Sequence, residues 1–261
     1  MKTALITLSS EGVHTAVQLS AKMEDACILI HSAVKESVPE ACRFENTIEL
    51  TAEIFNQYDA LIYIAPCGIA VRAIGRQTKS KFTDPAVVCV DVGGRYAISL
   101  LSGHEGGAND LAVTVANIIG AEPVITTTTE SLKNLIVGIG CRRGVDAETV
   151  IVAIKEALDH LTCELSHVRL LASADIKMDE AGLCKAAKQL GIPIRFISGE
   201  AIRSTTLSFD HSAFVEQKVN LPAVAEPAAL LAGRRTTLIL PKTVFNGVTI
   251  AVARESFSWS A

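Results

Sequence analysis

What most constrains this chain is a repeated change of hydrophobic period. Short apolar runs rich in Val, Ile and Ala alternate along the chain with stretches whose apolar residues recur every three to four positions. Continuous or alternating apolarity over five to eight residues suits a strand, and spacing at i, i+3 and i+4 suits a helix with one buried face. Strands separated by helices pair side by side with the helices covering the sheet faces, so the pattern predicts an α/β fold.

TALITL predicts a first strand ended by the turn-prone SSEG, and VHTAVQLSAKM a helix. ACILIHS and DALIYIA predict strands, TIELTAEIFNQY an amphipathic helix between them, and PCGIAVRAIGRQ a short helix after them. AVVCVDVGG and RYAISLL read as strands joined by a glycine turn, and ANDLAVTVANIIG as a helix stopped by Gly120. VITTTTE closes this half with a β-branched run. The pattern restarts at LIVGIGCRRG, where Asp146 is placed to cap the helix AETVIVAIKEALDHL. VRLLASA, IPIRFIS, TTLILPK and VTIAVAR predict strands, DEAGLCKAAKQLG a helix, and PAVAEPAALLAG a short strand, turn and helix. The restart predicts two domains, 1–133 and 134–261, each a mostly parallel or mixed sheet flanked by helices.

Composition narrows the partners. Aromatics are 5% and the formal net charge is -4, which argues against a nucleic-acid partner. No apolar run approaches the length of a membrane span, and the first residues lack the pattern of a signal peptide, so no membrane partner and a cytoplasmic location are expected. None of the seven cysteines forms a C-x-x-C pair, which leaves a protein-bound metal without support and suits thiols in a reducing compartment.

Four strand-to-loop transitions carry glycines, cations or both. In IAPCGIAVRAIG, Gly68 predicts a tight turn opening onto a helix N-terminus, with Arg72 and Arg76 one helical turn apart. In TKSKFTDP, Lys79 and Lys81 precede a strand and Asp84-Pro85 supplies turn chemistry. In LLSGHEGGAND, Gly103, Gly106 and Gly107 separate a strand from a helix, Ser102 and Asn109 can cap or contact a ligand, and His104 can move a proton near neutral pH. Glu105 can orient a water, although adjacent side chains usually point apart. In VGIGCRRG the spacing is G-x-G-x-x-x-G rather than the dinucleotide fingerprint, and Arg142 and Arg143 suit carboxylate clamping. Further on, Lys177, Asp179 and Glu180 stand at a helix entrance, where acids favour the positive end of the helix.

Longer motifs connect these pieces. PCGIAVRAI, then K-x-x-DPAVVCVDVGGRYAISLLSGHEGGANDLA, then GAEPVITTTTE resemble the N-terminal part of the cobalt-precorrin-5A hydrolase family of anaerobic cobalamin biosynthesis. VGIGCRRG, LASADIKMDEAGL, PAVAEPAALLAG and LPKTVFNGVTIAVAR resemble its C-terminal domain. The resemblance implies a substrate that is a cobalt-containing, ring-contracted tetrapyrrole bearing a δ-lactone. It implies opening of that lactone by water and release of acetaldehyde to give cobalt-precorrin-5B. Cobalt arrives within the substrate, so no cofactor and no metal ligand are expected of the protein.

The substrate's acetates and propionates match the glycine loops and scattered cations. The expected contacts are Gly68, Arg72, Lys79, Lys81, Ser102, Gly103, Gly106, Gly107, Asn109, Gly140, Arg142 and Lys177, with His104 and Glu105 as catalytic candidates and the Gly106–Gly107 amides, or a cation, facing the oxyanion. The resemblance itself assigns none of these roles. Family members commonly carry a middle domain, whereas here VITTTTE runs almost directly into LIVGIGC. That departure leaves open a homodimer. The C-terminal module also resembles a stand-alone protein of the aerobic pathway, which keeps a non-catalytic tetrapyrrole carrier as the alternative. Contacts with neighbouring pathway enzymes are also left open.

Overall fold

Strands buried on both faces explain why so many runs are continuously apolar. The computed structural model describes residues 1–210 and 221–257 and separates into two units, Met1–Thr127 and Thr128–Ala261. In the first unit, β1 (Thr3–Thr7), β2 (Ala26–His31), β3 (Cys42–Phe44), β4 (Ala60–Ile64), β5 (Ala86–Val90), β6 (Tyr96–Leu101) and β7 (Glu122–Val124) form one sheet in the order 3-2-1-4-5-6-7. Alternate residues of the central strands face opposite helix layers. Leu5, Ile62 and Val88 pack with α1 (Ser10–Ser20) and α4 (Ala108–Ile119), through Val13, Leu19, Leu111 and Val115. Ile6, Leu61 and Tyr63 pack with α2 (Thr47–Ile54) and α3 (Cys67–Ile74), through Ile54, Ala70 and Ala73.

All pairings in this sheet are parallel except β5 with β6. That reversal sets where loops emerge. Val87, near the start of β5, lies opposite Leu101, the last residue of β6. The loop after β6 therefore lies at the end of the sheet opposite the loops that follow β1 and β4.

The second unit has a five-stranded sheet in the order 10-9-8-12-11. Its strands are β8 (Leu135–Gly140), β9 (Val168–Ala174), β10 (Ile194–Ile197), β11 (Thr236–Phe245) and β12 (Val248–Glu255). β8, β9 and β10 are parallel, and the β11–β12 hairpin runs antiparallel onto β8. After α5 (Thr128–Ser131), helices α6 (Ala147–His160) and α7 (Ala181–Leu190) cover one face through Val150, Ile154 and Leu183. α8 (Gly199–Ser204) follows β10, and α9 (Ala225–Leu231) lies against the other face, where its Ala225 carbonyl leaves no room for a side chain at Gly138. Asp146 caps α6 by accepting from the Thr149 amide at 2.8 Å.

The α/β class with two mixed sheets is as expected, and four local readings change. SSEG is not a turn: Ser9 caps α1 by accepting from the Gly12 amide, and Ser10–Gly12 are helical. VITTTTE is not one extended run, because β7 stops at Val124 and Thr128–Ser131 form a helical turn whose Glu130 pairs with Lys133. PAVAEPAALLAG contains no strand among the described residues, only α9 and a buried lead-in. The edge strand β3 went unanticipated; three residues with only Phe44 buried leave almost no periodic signal.

Candidate functional site

The LSGHEGG segment folds into a cup at the start of α4. Ser102 leaves β6 in the left-handed conformation (φ 57°), uncommon for a residue with a side chain. Its carbonyl accepts from the Gly106 amide at 3.1 Å and the Ala108 amide at 3.2 Å, two bonds that offset the strain and close the turn. A Cβ on Gly106 would stand 2.4 Å from the Ser102 Cβ, and Gly107 has φ 83°, so the loop needs glycine at both. Ser102 is 6% exposed, and its hydroxyl is the one buried side-chain oxygen or nitrogen among the described residues without a hydrogen-bond partner.

The other polar groups of the loop divide between scaffold and mouth. Asn109 accepts from the Ser99 hydroxyl at 2.8 Å and donates to Thr127 Oγ1 at 3.0 Å. Both ends of its amide thereby help to hold the cup, so Asn109 serves the scaffold of the loop. The Gly106 amide is likewise spent on Ser102, so of the two amides assigned to an oxyanion only that of Gly107 remains. Lys79 and Ser80 donate their amides to the buried Asp84 carboxylate at 2.8 and 3.1 Å, which fixes residues 79–84 as a tight loop. Its Asp84 carbonyl lies under Gly106, so the two loops touch.

At the mouth, Lys81 pairs with Glu105, and this ammonium holds the Glu105 carboxyl below the ordinary carboxylate range. His104 stands beside them, exposed, with no hydrogen-bond partner among the described residues. The adjacent His104 and Glu105 do not bond each other; the glutamate is given to Lys81. Phe82, which follows Lys81, is 73% exposed here.

Gly68 and Arg72 are elsewhere. They follow β4 at the opposite end of the sheet, about the length of a five-residue strand away, roughly 15 Å. Gly68 is not in a tight turn but inside α3, where it has room for a side chain, and the Arg72 guanidinium folds back onto its carbonyl at 3.2 Å. Arg76 lies past the end of α3, so the two arginines share no helical face. Strand order reverses between β1 and β4 at this end, so the entries of α1 and α3 flank the position where open α/β sheets commonly bind ligands.

In the second unit, Gly140 ends β8 and Lys177 follows the parallel β9, close enough to act on Cys141, while the Arg142 guanidinium reaches toward Gly247 in the turn between β11 and β12. Glu180 accepts from the Gly144 amide at 2.8 Å and stands 3.9 Å from the Lys177 ammonium. This glutamate ties the glycine loop to α7 instead of capping the helix, a role its position in the sequence concealed. Burial pushes the Cys141 thiol up despite the nearby Lys177, which leaves it a poor nucleophile. Among the described residues no three His, Cys, Asp or Glu side chains gather to hold a metal ion, and no helix is long and apolar enough to cross a membrane.

The comparison with known proteins follows the same division. Residues 49–130 match the family model described as Cobalamin synthesis G N-terminal, and residues 135–253 match Cobalamin synthesis G C-terminus. The chain belongs to the cobalamin synthesis G (CbiG) family. A relative in Salmonella typhimurium, cobalt-precorrin-5A hydrolase, is 26% identical over 87% of this chain and 91% of its own. Protein CobE of a Sinorhizobium species is 32% identical over 48% of this chain and 83% of its own. A crystal structure of CobE, a protein from the cobalamin (vitamin B12) biosynthetic pathway, aligns with TM-score 0.43 and 34% identity over 47% of this chain and 90% of that one. The Salmonella alignment runs over 321 residues, more than the 261 of this CbiG-family chain, so that relative carries inserted residues this chain lacks.

Proposed function

We propose that this chain is a cobalt-precorrin-5A hydrolase. The observation that carries the reading is that both CbiG modules are present in order, and that relatives bearing this name align along most of the chain. Water attacks the lactone carbonyl, the ring C–O bond breaks, and a carboxylate and a hydroxyl result. Loss of the hydroxyl proton then forms the aldehyde C=O as the adjacent C–C bond breaks. The electron pair stays with the macrocycle, which takes up a proton, so the sum is substrate plus water giving cobalt-precorrin-5B, acetaldehyde and the proton released by the new carboxylic acid.

In this reading His104 receives and returns protons at the mouth of the cup, and the Gly107 amide faces the developing oxyanion. Lys79 and Lys81 are cations for peripheral carboxylates. The protein adds no metal or cofactor to a substrate that brings its own cobalt, and the cytoplasm suits its seven free cysteines.

The test is incubation of the purified chain with cobalt-precorrin-5A and measurement of acetaldehyde. Stoichiometric release with turnover supports the hydrolase. Tight binding without acetaldehyde replaces it by a tetrapyrrole carrier, the reading favoured by the residues this chain lacks relative to the Salmonella enzyme.

A further inference from the structure

We propose that Phe82 is the flat-face contact of this site, stacking on the substrate macrocycle while Lys79 and Lys81 meet its rim carboxylates; this rests on the hydrolase reading above. At 73% exposure Phe82 is the most exposed large hydrophobic side chain among the described residues. Single exposed apolar residues are common on protein surfaces, but this one is presented by a loop held by its own hydrogen bonds. Asp84, only 7% exposed, accepts from the amides of Lys79 and Ser80, Ser80 Oγ accepts from the Phe82 amide at 3.3 Å, and the Ser80 carbonyl accepts from Thr83 and Asp84.

The surroundings identify the occupant. The Lys81 ammonium lies 4.9 Å from the centre of the Phe82 ring and reaches Glu105 at the cup, so ring, cation and glycine loop form one surface. A tetrapyrrole is flat and apolar over its faces and anionic around its edge, the same combination in complement. A second protein chain suits the surface poorly. The phenyl group lies under the Lys81 ammonium, which is itself paired with Glu105, so the surface beside it is charged, whereas the core of a stable protein interface is depleted of charge.

The experiment compares the unaltered protein with Phe82→Ala and Phe82→Tyr, reading acetaldehyde kinetics, thermal stability and size by light scattering. Because Phe82 packs against little, both variants fold with Tm unchanged. Phe82→Ala is expected to raise KM about tenfold, equivalent to about 1.4 kcal/mol, with kcat held within about twofold, and Phe82→Tyr restores KM. Unchanged KM in Phe82→Ala overturns the proposal, as does a change of oligomeric state accompanied by loss of activity in Phe82→Ala.

If the unaltered protein releases no acetaldehyde, the hydrolase reading fails separately. Calorimetric titration with cobyrinic acid, a corrinoid polycarboxylate, then decides the Phe82 assignment. Weaker binding by Phe82→Ala retains it, and equal binding, or none by the unaltered protein, rejects it.

Discussion

Ser102 concentrates the argument at the scale of single residues. Its backbone is left-handed and its buried hydroxyl is unpaired, and each feature costs stability, the orphaned hydroxyl about 1–3 kcal/mol. Ser102→Gly relieves both costs and is expected to raise Tm by about 3 °C, read by differential scanning calorimetry. If the strain serves the site, acetaldehyde turnover falls as stability rises; unchanged turnover assigns Ser102 to the scaffold alone. His104 and Glu105 are expected to part company. His104→Ala lowers kcat about a hundredfold, the scale of one proton-transfer group, whereas Glu105→Gln stays within about threefold, because Lys81 already engages that carboxylate. Equal losses in the two variants would show that they act as a pair. The glycine loop was legible in the sequence because strand, glycines and helix follow one another directly. The scaffold role of Asn109 was not legible, because its partners, Ser99 and Thr127, lie 10 and 18 residues away in the chain.

Whole elements follow the same logic of close approach. Helix α9 crosses β8 at Gly138, where a Cβ would stand 2.0 Å from the Ala225 carbonyl and 2.9 Å from the Ala229 Cβ. Rigid backbone on one side and a small residue on the other leave little to yield. Gly138→Ala is therefore expected to destabilise the second unit by about 3 kcal/mol, measured by urea unfolding, while Gly140→Ala, with no contact under 3.6 Å, costs far less. Equal effects would mean that α9 shifts freely on the sheet. The elements themselves were readable because β1, β4, β5 and β8 are apolar on both faces and α1, α4 and α6 on one. The placement of the loop after β6 was not. The glycine turn before Arg95 predicts a hairpin but not its consequence, that the Ser102 cup and Gly68 end up at opposite ends of one sheet. Grouping every glycine loop around one ligand was an inference from sequence order, and strand direction separates them.

The molecule as a whole divides into two units with their own cores, and burial of ionisable groups makes their response to alkali unequal. Tyr63, fully buried in the first sheet, has its phenol pushed up to about 12, chiefly by burial. Below pH about 10 the phenol is neutral in folded and unfolded chains alike, and its contribution is fully present. From there the unfolded phenol ionises while the folded one does not, so stability falls by about 1.4 kcal/mol per pH unit until the folded phenol also titrates near 12. The expected loss between these limits is about 3 kcal/mol and belongs to the first unit. Burial also pushes the Cys89 thiol up, so part of the alkaline loss persists without the phenol. Tyr63→Phe isolates the phenol's share. Thr51 Oγ1, 2.7 Å from the phenol, keeps its bond to the Thr47 carbonyl at 2.7 Å, so the variant strands no donor and loses about 1 kcal/mol or less near neutrality. At pH 11 the order is expected to invert, with Tyr63→Phe the more stable in urea unfolding followed by circular dichroism. Parallel stability curves for the two proteins from pH 8 to 11 would mean that the phenol meets water in the folded state and that the first sheet is less tightly closed around Tyr63 than its zero exposure indicates.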